Sequence, residues 1–383
     1  MIIGIPKETA QGERRVALVP ESVPRLAGFQ VVVESGAGVS ANFPDGAYQK
    51  EGATVLPDAP TLYSRSDVVL KVQPPSLDEV ALLREGGALV SFLYPLSNLP
   101  AVERLAQKRV AAFAMDLIPR ISRAQTMDAL TSQATVSGYK AVILAAASLP
   151  KFFPMLMTAA GTIPPAKVLV IGAGVAGLQA IAVAHRLGAS VEAYDVRPAV
   201  KEQIQSLGAK FLEIPVSAQD AQTSGGYAKA QSEEFYRKQQ ELLTEHIAMA
   251  DVVITTALVP GQRAPILVTE EAVKRMRPSS VIVDLAAEQG GNCALTEPGK
   301  TVVKFGVTIH APINLPSTMA QQASELYSRN LVSFLSSVLR EGNLVIDQSD
   351  EVVRGTLVTK GGEVLYEPAR RALSGAKKEG ENA

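Results

Sequence analysis

The sequence predicts an α/β protein: two Rossmann-like domains, parallel sheets with helices on both faces, the second domain inserted into the first. Three observations carry this. Short β-branched or apolar runs alternate with helical patterns, the signature of a parallel sheet flanked by helices. At 383 residues the chain is too long for one core. A glycine-rich turn, Gly172-Ala173-Gly174-Val175-Ala176-Gly177, directly follows the strand-like Val168-Leu169-Val170-Ile171 and opens a helical pattern ended by Gly188.

Strand-like runs lie at 31–34, 68–72, 88–92 and 110–114, with helical patterns such as 99–108 between them. An alanine-rich helical stretch without internal proline follows at about 127–147, long enough to join two lobes, and Pro150, Pro154 and Pro164-Pro165 punctuate what comes next. A second set of strands is expected at 167–172, 190–195, 251–255, 280–284, 302–304 and 308–309. The helical pattern at 321–340 is expected to return to the first lobe. The expected division is a discontinuous α/β domain of residues 1–130 plus 318–383 and a nucleotide-binding Rossmann domain of residues 131–317. The stretch 215–240 reads as a long polar loop with Tyr227 and Tyr236, either a surface insertion or a lid over the cofactor.

Composition removes several classes of function. The net charge of -1 gives no attraction to nucleic acid or to an acidic membrane surface. One cysteine, Cys293, makes neither a disulfide framework nor a zinc cluster, so a reducing, intracellular setting and no metal are expected. The N-terminus lacks a signal-peptide pattern, and the most membrane-like stretch, 141–160, is broken by Pro150, Lys151 and Pro154. A soluble chain without direct membrane insertion is expected.

The glycine turn carries the clearest chemistry. Gly172 permits a tight turn, Gly174 lets the backbone approach a pyrophosphate, and Gly177 lets helix and strand pack closely; Ala173 and Val175 complete the cradle. The helix start then faces the phosphates with free N–H groups and the positive end of its dipole. Asp195 stands 18 residues beyond Gly177, at the end of an apolar-rich strand. A carboxylate there bonds the adenosine ribose and repels a 2′-phosphate, which favours NAD over NADP. Val196 and Arg197 adjoin it, and an arginine in that place can also accommodate the phosphate. Leu258, after the strand at 251–255, is a candidate for packing on the adenine, with ordinary strand-end packing as the alternative.

An acid–base group is missing. Dehydrogenases acting on alcohols or amino acids move a proton with the hydride and use His, Lys or Tyr for it. Of the three histidines, only His310, near a strand end, is placed to approach the site, and a structural role suits a lone histidine better. Hydride exchange between two nicotinamides handles no substrate proton and needs positioning and water exclusion instead.

At this point several segments converge. Pro119-Arg120-Ile121-Ser122-Arg123-Ala124-Gln125-Thr126-Met127-Asp128 resembles the signature loop of the NAD(H)-binding component of proton-translocating nicotinamide nucleotide transhydrogenases. Gly12-Glu13-Arg14-Arg15-Val16-Ala17, Met157 with the segment to Ala166, the glycine turn, Gly225-Gly226-Tyr227-Ala228-Lys229 and Asp284 with the segment to Cys293 match as well. The resemblance implies that Arg120, Gln125 and Asp128 serve the nicotinamide end, with Ile121, Ser122, Arg123 and Thr131 beside them, Thr131 standing where the family often has serine. Arg and Asp suit an ion pair fixing the loop, and the Gln amide donates and accepts at once. Gly226 and Tyr227 resemble the family's mobile lid, with Gln239 at its far end.

The resemblance further implies a homodimer, an NADP(H)-binding partner component and a membrane proton-channel component, with hydride passing between NADH and NADP⁺. Because the chain ends before any membrane span, it is expected to be the separate-subunit form, cytoplasmic and attached peripherally to the inner membrane. Alanine dehydrogenase is the nearest rival. Its lysine is kept as Lys71, but Ser91-Phe92-Leu93-Tyr94-Pro95 has no histidine where that pattern has one. A non-enzymatic NAD-binding regulator is the rival from another class; it has no need of the Arg-Gln-Asp loop.

Overall fold

The apolar runs become strands buried on both faces, as β-branched residues covered by helices on each side require. The computed structural model describes residues 1–214, 232–259 and 262–380. One unit comprises Met1–Gln133 and Pro316–Ala383, the other Ala134–Leu315. The first unit holds β1 (Ile2–Ile5), β2 (Gln30–Glu34), β3 (Thr54–Leu56), β4 (Val68–Leu70), β5 (Ala88–Ser91) and β6 (Ala111–Ala114). The second holds an antiparallel hairpin, β7 (Leu156–Thr158) and β8 (Gly161–Ile163). Its sheet strands are β9 (Lys167–Ile171), β10 (Ser190–Tyr194), β11 (Lys210–Phe211), β12 (Val252–Thr255), β13 (Val281–Asp284), β14 (Thr301–Lys304) and β15 (Val307–His310). The C-terminal segment adds β16 (Leu339–Arg340), β17 (Asn343–Leu344), β18 (Leu357–Lys360) and β19 (Glu363–Val364).

The sheet of the first unit runs β19-β18-β6-β5-β4-β1-β2-β3. Strands β1 to β6 pair in parallel, and β18 closes on β6 antiparallel. Alternation feeds two cores. Ile3, Ile5, Val31, Val33, Val68 and Leu70 enter one cluster, while Val32, Val69, Leu89 and Ala112 enter the other. The sheet of the second unit runs β11-β10-β9-β12-β13-β15-β14, parallel except at β14. Val168 and Val170 face one core there, and Leu169 and Ile171 the other. β1 and the β18–β19 pair lie outside the runs that the sequence pattern picks out.

Both sheets reverse strand order beside the strand that starts them, at β1/β4 and at β9/β12. Ligands of open α/β sheets sit at the carboxyl ends of strands flanking such a switch point. In the first unit the chain fills that place with its own charges. Lys71 Nζ donates to Glu8 Oε2 at 3.0 Å and to Glu79 Oε1 at 2.7 Å. Arg15 donates Nε and Nη2 to Glu13 at 2.8 and 2.6 Å, and Nη1 to Gln133 at 2.8 Å. Gln73 Nε2 adds a 2.8 Å bond to Glu13. Burial works against the ammonium of Lys71, but the Glu8 and Glu79 carboxylates outweigh it and raise its pKa. Burial likewise opposes the charge on Glu13, yet the hydrogen bonds and charge of Arg15 win and lower its pKa from 4.5 to about 2.

A depressed carboxylate pKa stabilises the fold above its unfolded value, and that stability is lost as pH falls toward the folded value. Denaturant titrations of the wild type are expected to show stability declining between about pH 5 and 2. Glu13→Gln should be less stable at pH 7 by about 3 kcal/mol and flatter over that range. Parallel pH profiles for the two proteins would refute the assignment to Glu13.

Candidate nucleotide-binding site

Unlike the first unit's switch point, that of the second is left open by glycine. Gly172 takes φ +97°, and a Cβ on it would lie 2.7 Å from Thr256 Oγ1 and 3.0 Å from the Ala257 nitrogen. A Cβ on Gly177 would lie 1.9 Å from the Gly172 carbonyl oxygen, so the helix can approach the strand only through a bare α-carbon. Gly174 differs: it is exposed, its φ of -74° suits any residue, and a Cβ there would meet nothing within 4 Å. Gly174 caps the helix Val175–Arg186 without any side-chain hydrogen bond. The first-turn N–H groups therefore face the open side of Gly174. That cradle, free of side chains and positive in dipole, fits a pyrophosphate.

Asp195 follows β10 and is buried. Its Oδ2 accepts the Ala173 N–H at 2.7 Å and Arg197 Nη2 at 2.9 Å, and its Oδ1 accepts the N–H and Nε of Arg197, both at 2.9 Å. The acid is thus tied to the glycine turn by Ala173, and Arg197 is tied to the acid. Val196 and Arg197 are half-buried, and Leu258 is exposed beyond β12. The stretch expected to be a loop as far as residue 240 ends sooner. Ser232 caps the helix Glu233–Met249 through the Phe235 N–H, and Gln239 is buried within that helix, donating to the Tyr194 hydroxyl at 2.8 Å. Ser and Glu-Glu at a helix start outweigh the local polarity. Gln239 is therefore no end of a lid but a brace beside Asp195. Gly226 and Tyr227 lie outside the described residues.

Three residues that the sequence pattern does not single out hold the far wall. Thr256 Oγ1 donates to the Gly172 carbonyl at 3.0 Å. Asp284 accepts from Thr255 Oγ1, Thr296 Oγ1 and the Ala286 and Cys293 N–H groups. Asn292 bridges Ala257 in both directions and the Pro265 carbonyl. The signal was present in Thr255-Thr256 at a strand end and in Asn292 after paired glycines, but only the fold joins them to the turn. The histidines are committed elsewhere. His310 is buried, with Nε2 2.8 Å from Ser148 Oγ and Nδ1 2.9 Å from Thr301 Oγ1, and burial lowers its pKa. His246 Nδ1 lies 2.6 Å from Glu192 Oε2, and His185 is exposed on the outer side of its helix. Burial pushes the Cys293 thiol up to about 11. Among the described residues no group of His, Cys, Asp and Glu suits a metal ion, and no helix is long and apolar enough to cross a membrane.

The Arg-Gln-Asp loop belongs to the first unit. A 3-10 turn, Ser122–Met127, sinks Ala124 and Met127 into the core and leaves Ser122, Arg123 and Gln125 exposed, with Ile121 partly buried and Arg120 exposed. The ion pair expected between Arg120 and Asp128 is not formed. Asp128 spends Oδ1 on the Thr131 N–H at 2.9 Å and Oδ2 on the Thr131 hydroxyl at 2.7 Å, capping the helix Ala129–Ser148. A capped helix start satisfies the carboxylate locally, without a distant guanidinium. The ion pair of this loop is made by Arg123, to Asp350.

Comparison with known proteins places these features. The sequence matches the family alanine dehydrogenase/PNT, N-terminal domain, over residues 4–137 and the C-terminal domain over residues 141–367. It is 52% identical to the first of the separately encoded pieces of the NAD(P) transhydrogenase alpha subunit of Rhodospirillum rubrum, over 96% of this chain and 98% of that protein. Identity to the alanine dehydrogenase of Bacillus subtilis (strain 168) is 31%, over 97% of this chain and 95% of that enzyme. Among solved structures, a transhydrogenase from Sinorhizobium meliloti superposes with a TM-score of 0.83 at 45% identity, covering 95% of this chain and 98% of that one.

The glycines separate fold from binding. Gly177→Ala is expected to cost about 1–3 kcal/mol of stability by overpacking. Gly174→Ala should leave the melting temperature unchanged but weaken NADH binding at least about tenfold, since its methyl enters the cradle. Equal effects of the two substitutions on stability would contradict this division.

Proposed function

The chain belongs to the alanine dehydrogenase/PNT family, in its transhydrogenase alpha-subunit branch, and from that premise we propose that it binds NAD(H) and exchanges hydride with NADP(H) on a partner component. In this reading Gly172, Ala173, Gly174, Val175 and Gly177 hold the pyrophosphate. Asp195, with Val196 and Arg197, takes the adenosine ribose, and Leu258 lies against the adenine. Gln239 acts through Tyr194, and Gly226 and Tyr227 form a lid. Arg120, Gln125 and Asp128 serve the nicotinamide, Asp128 through its cap on Thr131, with Ile121 and Ser122 shaping the loop. NADH, when bound, supplies the hydride. The residues orient its ring, exclude water and handle no proton.

One observation carries the reading: the unit with the nucleotide cradle has no disengaged histidine facing it. Both ring nitrogens of His310 are taken by hydroxyls, and His246 is bonded to Glu192. Lys71, kept from the alanine dehydrogenase pattern, is buried between Glu8 and Glu79, and its raised pKa disqualifies it as a base near neutral pH. Chemistry without a substrate proton suits such a protein. The coupling of hydride transfer to proton movement is then the task of a membrane component outside this chain. We assign the chain, as a homodimer, to the cytoplasmic face of that complex.

Reconstitution with an NADP(H)-binding component tests this directly. Hydride transfer from NADH to bound NADP⁺ is expected, with no pyruvate or ammonium formed from alanine and NAD. Gln125→Asn should slow transfer at least about tenfold while NADH affinity changes little, because a shortened side chain misplaces the ring without removing the pyrophosphate site. Equal losses in rate and affinity would sink the positioning role, and alanine oxidation would sink the reading as a whole.

A further inference from the structure

The loop around Gln125 is held from the C-terminal part of its own unit. Asn330, buried on the helix Ala320–Val338, donates Nδ2 to the Thr126 carbonyl at 2.9 Å. Asp350 takes both terminal nitrogens of Arg123, Nη2 on Oδ1 at 2.5 Å and Nη1 on Oδ2 at 3.1 Å. The same Oδ1 accepts the Val352 N–H at 2.8 Å and the Val353 N–H at 3.3 Å, capping the helix Glu351–Thr356. That helix also reaches the start of the loop, where a Cβ on Gly355 would stand 3.6 Å from Pro119 Cδ. Residues 123, 124, 126 and 127 are thus each tied down, by Asp350, by the core, by Asn330 and by the core again. Between them only the Gln125 side chain is left to move.

We propose that Asp350 is a positioning residue for hydride transfer: through its fork on Arg123 it fixes the backbone that presents Gln125. This rests on the transhydrogenase reading. Arg123 then belongs to the loop's anchorage and is not a ligand of the nucleotide, although it stands in the signature segment. The pair is half-exposed, with Arg123 48% accessible, so its share of overall stability is small. Its effect is geometric, and small displacements of a group that orients a reacting ring are costly in rate.

Asp350→Asn isolates this effect, because asparagine caps a helix as well as aspartate does while losing the charge that holds Arg123. With the full chain and the NADP(H)-binding component, its melting temperature and NADH dissociation constant should stay near wild type. The single-turnover hydride-transfer rate should fall about three- to tenfold. Arg123→Ala should give the same split, and the double variant should be no slower than either single one. A wild-type rate in Asp350→Asn overturns the proposal, as do losses that multiply in the double variant. So does weakened NADH binding confined to Arg123→Ala, which would make that arginine a ligand. If the wild type itself transfers no hydride, the transhydrogenase reading fails first, and that result is distinct from the others.

Discussion

The approach of Gly177 to the carbonyl of Gly172 sets the terms for the second unit. A helix can begin so close to the tip of β9 only because neither residue carries a side chain on the facing side. Thr256 then closes the turn from the neighbouring strand with a hydrogen bond to that same carbonyl, and Asp195 closes it from the other side through the Ala173 N–H. The cradle is a backbone feature braced on both flanks. Its capacity for an anion comes from what is absent, namely β-carbons and a capping side chain, more than from any cationic group.

The two units resolve one topological situation in opposite ways. Each sheet reverses at its starting strand and so creates a crevice. In one, buried lysine, arginine and three glutamates neutralise one another and leave no room for a small acid to bind. In the other, glycine keeps the space clear. Burying so many charges is tolerable because each has a partner at hydrogen-bond distance. The cluster also ties the segment after β1 to the segment after β4, stiffening the unit that carries the Arg-Gln-Asp loop.

Much of this is legible in the sequence. Apolar runs such as Val252-Val253-Ile254 announce their strands because both faces are covered, and the glycine spacing announces the turn because only glycine fits it. β1 is hidden since four residues at a chain end, Ile2–Ile5, give no periodicity to read. β18 is hidden because its partner, β6, lies more than two hundred residues away. In the candidate site, Gly172, Gly177 and Asp195 act through local geometry, which sequence records. Thr256, Asn292, Asn330 and Asp350 act through contacts that only folding creates. Asp128 illustrates the middle case: its neighbourhood is readable, but a cap three residues away satisfies it before any arginine does.

The carboxylate of Asp195 already has its four acceptor positions filled, three by Arg197 and one by Ala173. A sugar hydroxyl that bonds there has to displace an existing donor, so arrival of the dinucleotide trades one set of interactions for another and yields little net affinity. That suits a carrier which must depart reduced or oxidised after every cycle. It would ill suit a prosthetic group meant to stay, and it makes residence time, more than tightness, the quantity this pocket is shaped to limit.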